Sequence, residues 1–270
     1  MDMAGTAVGV DIGGTFTETP ATGGTFQCLQ VSAPEGTIFA AKAPAACQYS
    51  YPHAGLMIDL FITLMAEALP DRVTGAQCAD PMNVMFSGTS PESGEPWMFG
   101  EATAIGWAAS RTADGESVLA SYGGGDLKNY PAEVLEAKYP ILIGSYGLLA
   151  DSDRRRGGLA IFRSFTALAD STLSLWLERT ITGPWGVFGG HQGGIPSGEL
   201  TYPDGTTRQL LKCSQMPFPA GSSFQVVTGG GGGYGDPAER EPALVAAGLA
   251  DGYVTQHAAR EHDGHEGGQR

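Results

Sequence analysis

Apolar residues recur along this chain with two different periods, and the change from one to the other divides it. Leu56, Met57, Leu60, Phe61, Leu64, Met65 and Leu69 fall at three- and four-residue steps, the repeat of an amphipathic helix that Pro70 ends. A short helix is expected between Asn129 and Pro140, with Pro131 near its start and Pro140 beyond its end. From Leu142 onward alternation takes over. Ile141 to Gly147 reads as a buried strand entering a turn, and Leu173, Leu175 and Leu177 alternate with Ser174 and Glu178. Further strands are expected at Gln209–Cys213 and Ser222–Val227, and Asp114-Gly115 reads as a hairpin turn. The pattern predicts a mixed α+β fold with a few helices and a β-rich C-terminal half.

Composition narrows the class of protein. The chain has 270 residues, with Gly 41 and Pro 17 spread along it, which favours many turns and short strands. Its net charge of −14 argues against nucleic acid or an anionic membrane as partner, since both reward clustered Lys and Arg. Cys28, Cys47, Cys78 and Cys213 form no C-x-x-C pair, so buried reduced thiols and a cytoplasmic location are expected. The apolar stretch from Ala54 to Leu69 is interrupted by Asp59 and Glu67 and falls short of a membrane span.

The most informative stretch runs from Thr228 to Gly252. Five consecutive glycines, Gly229, Gly230, Gly231, Gly232 and Gly233, lead into Tyr234, Gly235, Asp236 and Pro237. Asp236 can cap a helix, Pro237 suits its first position, and Glu239 completes a capping box. A glycine loop entering a helix N-terminus can hold a substrate or phosphate anion, or make a tight chain crossing. It can equally be plain turn material.

Other candidates are sparser. Glu133 and Glu136 stand three apart on one helical face, as metal ligands, an acid/base pair or a solvated face. Arg156 reads as surface charge or as an anchor for a substrate carboxylate. His53 and His191 lack partners at metal spacing, and His257, His262 and His265 suggest adventitious affinity at most.

Several of these letters resemble a known family. TGGGGGYGDPAERE from Thr228, the Asn129-x-Pro131-x-Glu133 run and Arg156-Gly157-Gly158 are similar to motifs of the hydantoinase B/5-oxoprolinase family. Gly106-Trp107-Ala108 departs from the paired glycine usual there, which predicts an altered local backbone. Residues 7–17, with Asp11, Gly13, Gly14 and Thr15 in a D-x-G-G-T turn, resemble instead the opening of hydantoinase A, a nucleotide-phosphate turn.

The resemblance implies a division into a hydantoinase A-like leader hairpin over 1–25, a hydantoinase B C-terminal-like domain over 26–260 and a disordered tail over 261–270. It further implies part of an ATP-dependent cyclic-amide hydrolase that opens a hydantoin, lactam or 5-oxoproline ring. The partner would be an A-type ATPase subunit in a homo- or hetero-oligomer. ATP and a divalent metal (Zn, Mn or Mg) would serve the complete complex, with metal ligands unknown in this chain. Asn129, Glu133 and Arg156 are the catalytic candidates by this likeness. The other reading is a non-catalytic scaffold of the same family that lacks the metal site.

Overall fold

A computed structural model describes residues 32–47, 51–78, 82–121, 128–152 and 157–262. The leader hairpin over 1–25, including Asp11, Gly13, Gly14 and Thr15, lies outside the described residues, as do Arg156 and 263–270.

The elements in order are α1 (Tyr51–Leu64), β1 (Asn83–Thr89), β2 (Pro96–Ala102), α2 (Ala132–Lys138), β3 (Ile141–Leu148), β4 (Ile161–Ala167) and β5 (Ser171–Trp176). Next come β6 (Ser197–Thr201), β7 (Thr207–Leu210), β8 (Lys212–Phe218), β9 (Ser223–Val227), a 3₁₀ turn (Pro237–Glu239), α3 (Pro242–Asp251) and α4 (Gln256–His262). The fold is mixed α+β with strands in the majority. The helix expected to run to Pro70 stops at Leu64 and continues as turns. The tail expected to be disordered from 261 is still helical at His262.

Two antiparallel sheets face one another. One has the order β2-β1-β5-β8 and the other β3-β4-β9-β6-β7. Their inner faces meet in a core where Phe86 of β1 lies 5.0 Å from Phe165 of β4 and 5.3 Å from Phe218 of β8, between ring centroids. Leu173, Leu175, Leu200, Phe224 and Val226 fill the rest of this layer. Strand alternation places these apolar residues on the inner face of each sheet.

The strand expected over Gln209–Cys213 is in fact the junction of two. β7 ends at Leu210 in one sheet and β8 begins at Lys212 in the other. Leu210 is buried while Leu211 is 45% exposed, so the chain switches sheets at the leucine pair. The helix expected to start at Asp236 is also interrupted. Asp236 does cap, accepting from the Ala238 N–H at 2.9 Å, but only for the 3₁₀ turn. Pro242 then disfavours helical geometry at Glu241, whose ψ is 123, and Arg240 before it is extended with ψ 137. Pro242 starts α3 instead, and Gly252 closes it at φ 76.

Candidate functional site

The five glycines do not form an open loop. Gly229 to Gly233 and Tyr234 are buried, and none of the five glycines takes the left-handed conformation. They run as an extended thread leaving β9, with chain on every side. The Gly230 N–H donates to Gly194 O (3.2 Å), Gly231 to Gly158 O (2.9 Å), Gly232 to Ala76 O (2.8 Å) and Gly233 to His191 O (2.9 Å). Gly229 O and Gly232 O accept from the N–H groups of Gly106 and Ala109. Bonds to the 190–194 segment and to the 106–109 segment thus each recur after three residues. This is the repeat of a polyproline II strand, which turns successive peptide groups toward different neighbours.

Close approach explains the glycines. A Cβ on Gly231 would overlap the Trp107 carbonyl oxygen, one on Gly230 the Ser152 oxygen, and one on Gly232 the Trp185 oxygen. Neighbouring segments supply glycines in return: a Cβ on Gly106, Gly157 or Gly190 would overlap Gly158 O, Gly231 O or Gly233 O. The expected substrate or phosphate cradle is thereby corrected. The N–H groups of Gly230 to Gly233 already serve backbone carbonyls, and the run is closed to solvent. Tyr234 anchors the exit by donating its hydroxyl to Pro70 O at 2.8 Å, and Asp236 is exposed. Trp107 causes no strain, because its φ is not positive. Its indole N–H donates to Ala120 O at 2.6 Å, while its carbonyl accepts from Gly158.

A polar cluster forms at one end of the sandwich. In β4 the buried positions are Ile161, Arg163, Phe165 and Ala167, so period two drives a guanidinium into the core face. In β2 the same rule buries Glu101 two residues after Phe99. The two pair across the gap between the sheets, Arg163 Nη1 to Glu101 Oε2, with 4% and 7% of their side chains exposed. Glu101 Oε1 also accepts from the Tyr130 N–H at 3.3 Å. A register shift between Ile143 and Tyr146 sets Tyr146 opposite Arg163, whose guanidinium carbon lies 5.3 Å from the ring centre.

Asn129 joins this cluster. Its Nδ2 donates to the Tyr146 hydroxyl at 2.8 Å, at the exposed edge. Glu133 does not join; it is exposed in the first turn of α2. Glu136 turns away from it and accepts from the Ile143 N–H at 2.8 Å, tying α2 to β3. The arrangement runs from an accessible amide and phenol inward to a buried ion pair, and the Arg163 Nε has no partner. It can donate hydrogen bonds to a carbonyl or carboxylate placed at its mouth. Sequence reasoning missed Glu101, Arg163 and Tyr146. The available signal was a charge standing in phase with apolar alternation, as in Ile161-x-Arg163-x-Phe165.

Burial pushes the Glu101 carboxyl above its ordinary value of 4.5, outweighing the attraction of Arg163 and the Tyr130 N–H. The folded state therefore holds this proton more tightly than the unfolded chain. Its contribution to stability is unpenalised below 4.5 and falls as pH rises through the interval up to the raised value. Glu101→Gln removes that slope, because the amide stays neutral as the carboxyl ionises. The variant should be about as stable as the wild type at pH 4.5 and should gain on it toward pH 7 in denaturant titrations. A variant that instead loses ground to the wild type as pH rises would show the carboxyl to be held below its ordinary value.

A second buried pair sits where α1 meets the glycine thread. Arg179 Nη2 pairs with Asp59 Oδ2, and Asp59 Oδ1 accepts from the Gln77 N–H at 3.2 Å. The Arg179 guanidinium carbon lies 4.4 Å from the Trp185 ring centre, and the Trp185 indole N–H donates to Thr63 Oγ1 at 2.7 Å. Among the described residues no group of three or more His, Cys, Asp or Glu could hold a metal ion. They do not fit the metal implied by the family resemblance.

A family model described as Hydantoinase B/oxoprolinase matches residues 5–237. The chain belongs to the hydantoinase B/oxoprolinase family. The match begins inside the segment read as a hydantoinase A-like leader. Over 249 residues the chain is 29% identical to a putative B-type subunit of a D-/L-hydantoinase from Pseudomonas sp. strain NS671, covering 89% of this chain and 41% of that one. It is 31% identical over 236 residues to an uncharacterized protein of Methanocaldococcus jannaschii, covering 86% and 40%. The fold is that of the ATP-dependent caprolactamase from Pseudomonas jessenii, with TM-score 0.82 at 24% identity over 97% of this chain and 48% of that one. The chain thus spans less than half the length of these relatives.

Proposed function

We propose that this chain is a C-terminal portion of the B-type component of an ATP-dependent cyclic-amide hydrolase, acting in the cytoplasm on a hydantoin, lactam or 5-oxoproline. The observation that carries the reading is the family match over residues 5–237, joined to coverage of only 41% of a B-type hydantoinase chain. A chain of that extent would require the rest of the B-type fold and an A-type ATPase subunit. The divalent metal (Zn, Mn or Mg) would supply an activated water, and ATP the activation of the ring oxygen. The ligands for both would come from polypeptide outside the described residues.

Within this chain the substrate-facing groups would be Asn129 and Tyr146. They would orient a ring carbonyl, with Arg163 behind them fixing the Tyr146 ring and Glu101 fixing Arg163. Glu133, exposed on α2, and Arg156 remain proposed site residues, Arg156 as a carboxylate anchor. A second reading, a non-catalytic scaffold of the same family, is favoured by how much of the interior is structural: the N–H groups of Gly230 to Gly233 and both buried acids are committed.

The test is reconstitution with the remaining B-type portion, an A-type ATPase partner, ATP, and Zn²⁺, Mn²⁺ or Mg²⁺, following ring opening of hydantoin, caprolactam and 5-oxoproline. ATP-dependent turnover on mixing supports the first reading, and Tyr146→Phe should then lower kcat at least tenfold with little change in stability. Tight binding with no turnover supports the scaffold. Turnover by the isolated chain would overturn both.

A further inference from the structure

Helix α1 has an outward face that a free surface helix would not carry. Its sequence, YPHAGLMIDLFITL, holds one charged residue, and that residue is Asp59, buried against Arg179. Ile58 and Ile62 face the glycine thread, with Val73, Val187 and Tyr234. On the opposite side Leu56, Leu60 and Leu64, spaced by four, are 38%, 48% and 75% exposed. Phe39 extends the patch, its ring meeting His53 edge-on at 6.2 Å. A helix apolar on every side belongs in an interior, and no helix among the described residues is long and apolar enough to cross a membrane.

We infer that this stripe is the seat of the remaining portion of a hydantoinase B-type polypeptide, the part of the family chain that these 270 residues do not span. Relatives carry more than half their length outside the matched region, since the match covers 41% and 40% of two of them. That polypeptide has to pack on the matched half somewhere, and a contiguous leucine row is the kind of surface that anchors such packing. A second copy of this chain suits the stripe less well, because it would bring together two bodies each of net charge −14. The inference deepens the partner requirement of the proposed function. It rests on family membership and partial length, and not on ring opening.

The experiment mixes this chain with the unmatched portion of the Pseudomonas sp. strain NS671 relative and reads binding by sedimentation and amide hydrogen exchange. Expected is a one-to-one complex with slowed exchange across residues 56–64, and weakening of about a hundredfold or more in Leu60→Glu/Leu64→Glu. Both leucines point to solvent, so the variant should melt where the wild type does. The exchange data on the wild type decide independently if it does not. Absence of a complex, or a complex that leaves 56–64 unprotected, overturns the inference. So does protection that grows with this chain's own concentration and disappears in the variant, which would assign the stripe to self-association. Because no nucleotide or substrate is present, failure here is separate from failure to open a ring.

Discussion

Gly231→Ala is expected to cost this protein most of its stability, on the order of 3 kcal/mol or more, beyond the usual range for an added methyl. The new Cβ would overlap the carbonyl oxygen of Trp107, and that oxygen cannot swing aside as a side chain would. It accepts from Gly158, whose own carbonyl accepts from Gly231, so the three segments would have to part together. Denaturant or thermal unfolding measures the loss. Gly100→Ala in β2 is the control: its Cβ would meet only the Met85 side chain, at 3.6 Å, and the change should lie within about 1 kcal/mol of neutral. Equal effects at both positions would refute the close-packed thread.

Arg179→Ala should be nearly as damaging, by roughly 3–5 kcal/mol, because it leaves Asp59 buried without its counter-ion. The same change removes the guanidinium that Trp185 covers. Replacing both charges, as in Asp59→Leu/Arg179→Met, should recover a large part of the loss, since an apolar pair of similar size carries no desolvation cost. A double-mutant cycle by denaturant titration gives the coupling. If the double variant were as unstable as the sum of the two singles, the pair would not be acting as a unit.

Much of the architecture was legible in order. The alternation of Leu173, Leu175 and Leu177 gave β5 and its inward face, and the Asn129–Pro140 run gave α2 between two prolines. Failures came where one residue overrode a local pattern. Pro242 split the helix expected after Asp236, and the Leu210-Leu211 pair divided one expected strand between two sheets. The site was legible only in its outer member, Asn129. Its inner members belong to β2, β3 and β4, and only pairing of the sheets brings Glu101, Tyr146 and Arg163 together.

By itself the sequence determined the mixed α+β class, the kinds and approximate places of several elements, the acidic and glycine-rich character, and the family. These depend on residue type and spacing over a few positions, which the chain states directly. The tertiary structure alone decided that the five glycines are a buried thread. The groups that forbid a side chain there are backbone oxygens of Trp107, Ser152 and Trp185, and a peptide carbonyl is the same whatever residue carries it. It also decided that two acids and two arginines would be buried as pairs, because only folding brings residues 62 and 120 positions apart within reach of one another.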